Sequence, residues 1–137
     1  MGDRGNVYIL DDLKEDTPGV YLYSHWGGYE LPQMVARALV RADADRQNRW
    51  DDAPYLTRII FCEMVKGYEE ETTGFGISAR RCDNEYPIVV VQPGNNPQIG
   101  LAPEGQENGG IESCTETWSF AEFIAKFGVT ARTETRR

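Results

Sequence analysis

Residues Tyr23-Ser24-His25-Trp26-Gly27-Gly28-Tyr29-Glu30 concentrate most of the chemistry in this chain. They follow a Val/Tyr/Leu run and precede a long amphipathic stretch, so a strand ends, two glycines intervene and a helix begins. Adjacent glycines let a backbone take positive φ or lie close to a ligand. The first N–H groups of a helix have no partner within the helix and carry the positive end of its dipole. Gly27 and Gly28 are therefore expected to open an anion site, with His25, Trp26 and Tyr29 as flat rings beside it. The competing reading is a tight strand-to-helix turn with Trp26 in the core.

His25 is the only histidine. No GxSxG elbow accompanies it, and chemistry that needs two histidines is out of reach of one chain. Paired with Glu30 or Asp51 it would serve as a general base, and otherwise as a hydrogen-bonding or stacking group. Arg4 stands at the start of the first strand and Arg49 flanks Trp50. Arg58 lies beside Ile59 and is expected on or near an apolar helix face. A buried arginine needs a partner, here a ligand phosphate or carboxylate, or Asp51 or Asp52. Gly74-Phe75-Gly76-Ile77-Ser78 alternates glycine with larger residues, a pattern that marks close backbone approach by a ligand or a neighbouring element. No Gly-Lys-Ser/Thr follows, so it is a weak match to a phosphate loop. Cys62, Cys82 and Cys114 form no CxxC pair, and no metal or cofactor is expected. They read as reduced, mostly buried thiols of a cytoplasmic protein.

Around these residues the periodicity predicts strands over 6–10 and 19–24, joined as an antiparallel hairpin through an acidic link ending in Pro18-Gly19. Leu31, Met34, Val35, Ala38, Leu39 and Ala42 recur at helical spacing and predict a helix over 30–47, with Arg37, Arg41, Asp45 and Arg46 on a solvated face. A second helix is expected over 54–66, capped by Asp52 and ended by Gly67. Phe61 and Cys62 widen its apolar surface, so it is expected to be the more buried of the two. Strands follow over 74–79 and 87–92, the second a central strand because Ile88-Val89-Val90-Val91 lacks alternation. A long loop over 93–110, broken by a short strand at 99–102, leads to a strand at 111–117. Ser119 and Glu122 form a capping box, with Trp118 and Phe123 as its hydrophobic staple. The last helix is expected to stop at Gly128 and to leave a flexible tail over 129–137.

The order β-β-α-α-β-β-(β)-α predicts an α+β, two-layer domain over 1–128. In it an antiparallel sheet of four to six strands packs with three helices. The chain has 137 residues, 40% hydrophobic and 26% charged, enough to build one core without disulfides. Its net charge of −8 argues against binding a nucleic-acid polymer, which needs clustered Lys and Arg. No apolar run approaches about 18 residues, so no membrane span is expected, and the polar, acidic residues 1–12 do not resemble a secretory leader.

The opening Met1-Gly2-Asp3-Arg4-Gly5, with His25-Trp26-Gly27-Gly28-Tyr29-Glu30, Trp50-Asp51-Asp52 and Tyr55-Leu56-Thr57-Arg58, resembles a scattered family of small proteins from phages, bacteria, archaea and fungi. These open with Met-Gly-Thr-Arg and carry an aromatic-Asp-Gly-Tyr-Pro-Glu motif before a helix. The resemblance covers the first half of the chain, which has Asp3 in place of Thr, Gly27 in place of Asp, and no proline after Tyr29. Its phage distribution implies an accessory, anti-defence role.

The expectation is a non-catalytic binding protein that sequesters a small phosphorylated, nucleotide-type signal in the host cytoplasm, with homo-oligomers open. Its expected ligand-binding residues are Arg4, His25, Trp26, Gly27, Gly28, Tyr29 and Arg58. One alternative is a small enzyme using His25 as general acid or base on a nucleotide. Another is an acidic inhibitor that docks on a host defence complex through Glu69–Glu71 and the overall negative charge.

Overall fold

A computed structural model describes residues 3–10, 19–43, 48–94, 97–103 and 110–134. The expected link over 11–18, the predicted helix end at 44–47, and residues 95–96, 104–109 and 135–137 lie outside the described residues.

The first hairpin is as the sequence predicts. Strands β1 (Gly5–Ile9) and β2 (Val20–Ser24) pair antiparallel, with Val7 opposite Leu22. Helix α1 (Leu31–Ala42) follows a 3-10 turn over Gly28–Glu30 and starts with Pro32 in its first turn, where the missing N–H costs nothing. Its stripe of Leu31, Val35, Ala38, Leu39 and Ala42 is buried. At its end the Arg49 N–H returns to the Ala42 carbonyl, and the Trp50 indole N–H donates to the Leu39 carbonyl at 3.0 Å. Helix α2 (Ala53–Val65) begins at Asp52, whose carboxylate accepts from the Tyr55 N–H at 3.1 Å. Gly67, at φ +87°, takes the left-handed conformation that follows a helix end. Contrary to expectation, α2 is not the more buried helix. It buries one stripe (Leu56, Ile59, Ile60, Met64), while Phe61 and Cys62 are only half-buried and Tyr55 and Arg58 are exposed.

Strands β3 (Phe75–Ser78), β4 (Ile88–Gln92), β5 (Gln98–Ala102) and β6 (Glu116–Ser119) complete a six-stranded sheet in the order β3-β2-β1-β4-β5-β6. The fold is α+β, with three helices. The sheet, however, is mixed, because β4 runs parallel to β1 (Val7 opposite Val89), whereas the sequence predicted antiparallel pairing throughout. Two strands joined by nine residues read as neighbours, yet the 79–87 connection crosses from the outer side of β2 to the far side of β1. It crosses on the face carrying Asn6. That side chain is fully buried, and its amide donates to the Cys82 and Asp83 carbonyls and to Asn84 Oδ1, while its own oxygen accepts from the Cys82 N–H. The expected strand at 111–117 is instead a 3-10 turn over Gly110–Ser113 leading into β6.

Helix α3 (Phe120–Glu134) starts at the predicted box: the Glu122 N–H donates to Ser119 Oγ, and the Ser119 N–H donates to Glu122 Oε1 at 2.9 Å. The staple is also present, with Trp118 and Phe123 rings 5.7 Å apart. The helix does not stop at Gly128 but continues to Glu134, and Gly128 does not take the positive φ that Gly67 has after α2. The main core lies between the sheet and the helices, around Val7, Leu22, Leu39, Ile60, Val89 and Phe123. On the opposite face a smaller cluster joins Tyr8, Tyr21, Ile88, Val90 and Ala102 to Ile111 and Cys114. The three cysteines lie on separate elements as free, half-buried thiols, and burial pushes the Cys114 thiol up to about 11. Among the described residues no helix is long and apolar enough to cross a membrane.

If the capping box supports α3, Ser119→Ala should lower unfolding free energy by about 1 kcal/mol. Glu122→Gln, which fits the same box, should stay within about 0.5 kcal/mol of the parent. Denaturant titration of the two variants checks both values.

Candidate ligand-binding site

At the mouth of α1, Gly27 sits at φ +68° in the left-handed region, as a sharp strand-to-helix turn requires. Gly28 has a different reason to be glycine. A Cβ there would lie 2.7 Å from the Asp3 carbonyl oxygen and 2.9 Å from the Arg4 carbonyl carbon. The close approach that the paired glycines predict is thus made by the chain's own first residues.

Those residues also occupy the expected anion site. The Gly28 N–H donates to the Asp3 carbonyl at 2.7 Å, and the Gly27 N–H to Asp3 Oδ2 at 3.2 Å. Asp3 Oδ1 accepts from the Tyr86 hydroxyl at 2.6 Å, and this hydrogen bond pushes the Tyr86 phenol up. The expectation of free amides facing solvent is therefore corrected, since an internal carboxylate takes the place of the ligand anion.

Arg4 is likewise committed within the fold. Its guanidinium reaches Asp83 and Glu85, each at 3.1 Å, while its N–H and carbonyl bond the Glu85 side chain and N–H. Hydrogen bonding from Arg4, backbone first, holds the Glu85 carboxyl below its usual range. Arg58 was expected on or near the apolar face, but it is exposed on α2. It approaches Cys62 Sγ at 3.6 Å, and Arg49 rather than Arg58 pairs with Asp52. His25 is exposed, with its Nδ1 2.9 Å from the Tyr23 hydroxyl, and Tyr29 lies against Tyr86 at 6.4 Å.

Trp26 and Gly27 do meet a cavity. A cleft of about 690 Å³ opens between the start of α1, the end of α2 and the start of β3. Trp26, Tyr68 and Phe75 wall it with mutually adjoining rings, their centroids 5.8 to 6.2 Å apart. Trp26 is 46% exposed and Tyr68 52%, so Trp26 is not the core residue of the competing reading. Its ring lies across Gly74, where a Cβ would come within 2.3 Å of it and φ is +99°. Thus one glycine of the alternating segment is explained by a ring rather than by a ligand.

At the buried end of the cleft stands Glu63, 5% exposed. Arg37 Nε reaches it at 2.9 Å, Arg41 at 2.7 Å and Lys66 at 3.6 Å. Burial pushes the Glu63 carboxyl up, but the hydrogen bonds of Arg41 and Arg37 and the charge of Lys66 outweigh it and hold it below its usual range. One carboxylate is thus shared by three cations, of which Arg37 and Lys66 line the cleft together with the carboxylates of Glu30, Glu63 and Glu71.

Sequence reasoning missed Arg37, Glu63, Lys66, Tyr68 and Phe75 as site residues. A signal for part of this was present. Arg37 and Arg41 are four residues apart on one helix, and Glu63 interrupts the apolar stripe of the next beside Met64.

Because the folded-state values of Glu63 and Glu85 lie below 4.5, their contribution to stability is complete above that pH. It should be lost as pH falls through those folded values. Glu63→Gln should cost about 2–3 kcal/mol at neutral pH, the worth of hydrogen bonds to charged groups, and should flatten the acid limb of a stability-versus-pH curve. Thermal melts of both proteins between acid and neutral pH test this.

Compared with protein-family models, with curated proteins and with solved structures, the chain matches none of them.

Proposed function

We propose that this protein binds, without transforming it, a small phosphorylated ligand carrying a flat ring, a nucleotide-type molecule, in the cleft between α1, α2 and β3. The supporting observation is the pairing within one cavity of a three-ring wall with two cations, Arg37 and Lys66, that adjoin Glu63. Stacking accepts any planar base, because every base has a π-face. Arg37 and Lys66 offer charged donors to a phosphate, and Glu30 and Glu71 suit donors such as ring N–H groups or sugar hydroxyls. Sequestration of such a signal, as an anti-defence protein would perform, is the role this reading favours.

The ligand site differs in composition from the one the sequence suggested. Trp26 and Gly27 belong to it, with Arg37 and Lys66 replacing Arg4 and Arg58 as the cations. His25 stands on the far side of the reading: it adjoins Trp26 edge-on at 5.7 Å but does not line the cleft. The enzyme alternative therefore has its general base beside the cavity rather than in it. The discriminating result for that alternative is product formation lost in His25→Ala with binding retained.

Calorimetry against linear and cyclic nucleotides should find a ligand that is recovered intact. Trp26→Ala should weaken its binding by about 1–3 kcal/mol, the usual worth of stacking one base. Absence of heat across the whole panel, or equal binding by the parent and Trp26→Ala, overturns the proposal.

A further inference from the structure

The charges around the cleft are not committed alike. Arg37, Arg41 and Lys66 all reach one carboxylate, Glu63. The other two carboxylates of the lining, Glu30 and Glu71, have no ion pair and no side-chain hydrogen bond among the described residues. Both are carried beside the ring wall by short turns. The Glu30 N–H donates to the Gly27 carbonyl at 2.9 Å, which returns Glu30 to the residue after Trp26. A Cβ on Gly27 would stand 4.0 Å from Glu30 Oε1. The Glu71 N–H donates to the carbonyl of Tyr68, itself a ring of the wall, at 3.0 Å. The uncompensated charge next to Trp26, Tyr68 and Phe75 is therefore negative.

The faces of those rings carry partial negative charge as well. A cation over an aromatic face is attracted to it, and most strongly over tryptophan. A neutral base would stack on the wall and gain nothing from the charge of Glu30 and Glu71. A cationic ring would gain from the stacking, from the ring faces and from both carboxylates. Charge spread over a flat ring is also more weakly hydrated than a compact ammonium, as it is in guanidinium, so less is lost on entering the cleft.

We propose that the flat ring taken by this cleft is positively charged, an N-alkylated purine or pyridine. This rests on the reading above, in which the cleft binds a phosphorylated ligand with a planar ring, and it names the class of that ring. The ligand is then zwitterionic, its ring at the aromatic wall and its phosphate toward Arg37 and Lys66. The Lys66 ammonium is 65% exposed and has three N–H donors, so it can serve a phosphate as well as Glu63.

Two pairs of mononucleotides that differ in ring charge test this by calorimetry. One is 7-methylguanosine monophosphate against guanosine monophosphate, in mildly acidic buffer that keeps the methylated ring cationic. The other is oxidised against reduced nicotinamide mononucleotide at neutral pH. The cationic member should bind about tenfold tighter in at least one pair, as a cation–ring contact aided by nearby carboxylates gives. In the double variant Glu30→Gln, Glu71→Gln that preference should shrink by about threefold or more, with circular dichroism unchanged and the neutral member bound no more weakly. Neutral members that bind as tightly as cationic ones in both pairs overturn the inference and leave the nucleotide reading standing. So does binding confined to other, neutral-ring nucleotides, or a preference that survives intact in the double variant. Absence of heat with every nucleotide overturns both.

Discussion

A fully buried asparagine organises the sheet. Asn6 is at the start of the central hairpin, and a buried amide without partners would be strongly destabilising. Its partners all come from residues 82–84, far along the chain. Satisfying it draws the crossing loop over the sheet, and the strand that follows can then reach only the vacant side of β1. The parallel β1–β4 pair is the consequence, and β5, β6 and α3 are placed in turn by that pair. Arg4 reinforces the same junction through Asp83 and Glu85.

The same first residues determine where a ligand can go. Asp3 supplies a carbonyl and a carboxylate to the amides at the mouth of α1, so the positive end of that helix is answered from inside the fold. Cations are gathered instead around Glu63, where Arg37 and Arg41 from the second half of α1 meet the end of α2. The ring wall beside it depends on Gly74, since any side chain there would collide with Trp26. An aromatic surface and a cationic group thus share one cavity although neither belongs to the glycine turn.

Local devices were legible from residue types alone, because each acts within a few residues. The helix stripes, the Asp52 cap, Gly67 after α2, the Ser119–Glu122 box with its Trp118–Phe123 staple, and the central position of Ile88–Val91 all appear in the structure. So does the α+β arrangement with three helices. The left-handed turn at Gly27 was legible as well, since two glycines between a strand and a helix leave few alternatives.

What the sequence could not decide was which distant groups would meet. Arg37 looked like part of a solvated face because its partner Glu63 is on another helix. Arg58 looked buried because one position of helical phase separates an apolar stripe from its exposed flank. Asp3 looked like an ordinary acidic residue until the hairpin set it against Gly27 and Gly28. Periodicity records which face of an element avoids water, and it settled the elements and their caps. The partner of a charge, the neighbour of a strand and the occupant of a helix mouth depend on contacts across dozens of residues, and tertiary packing alone selected them.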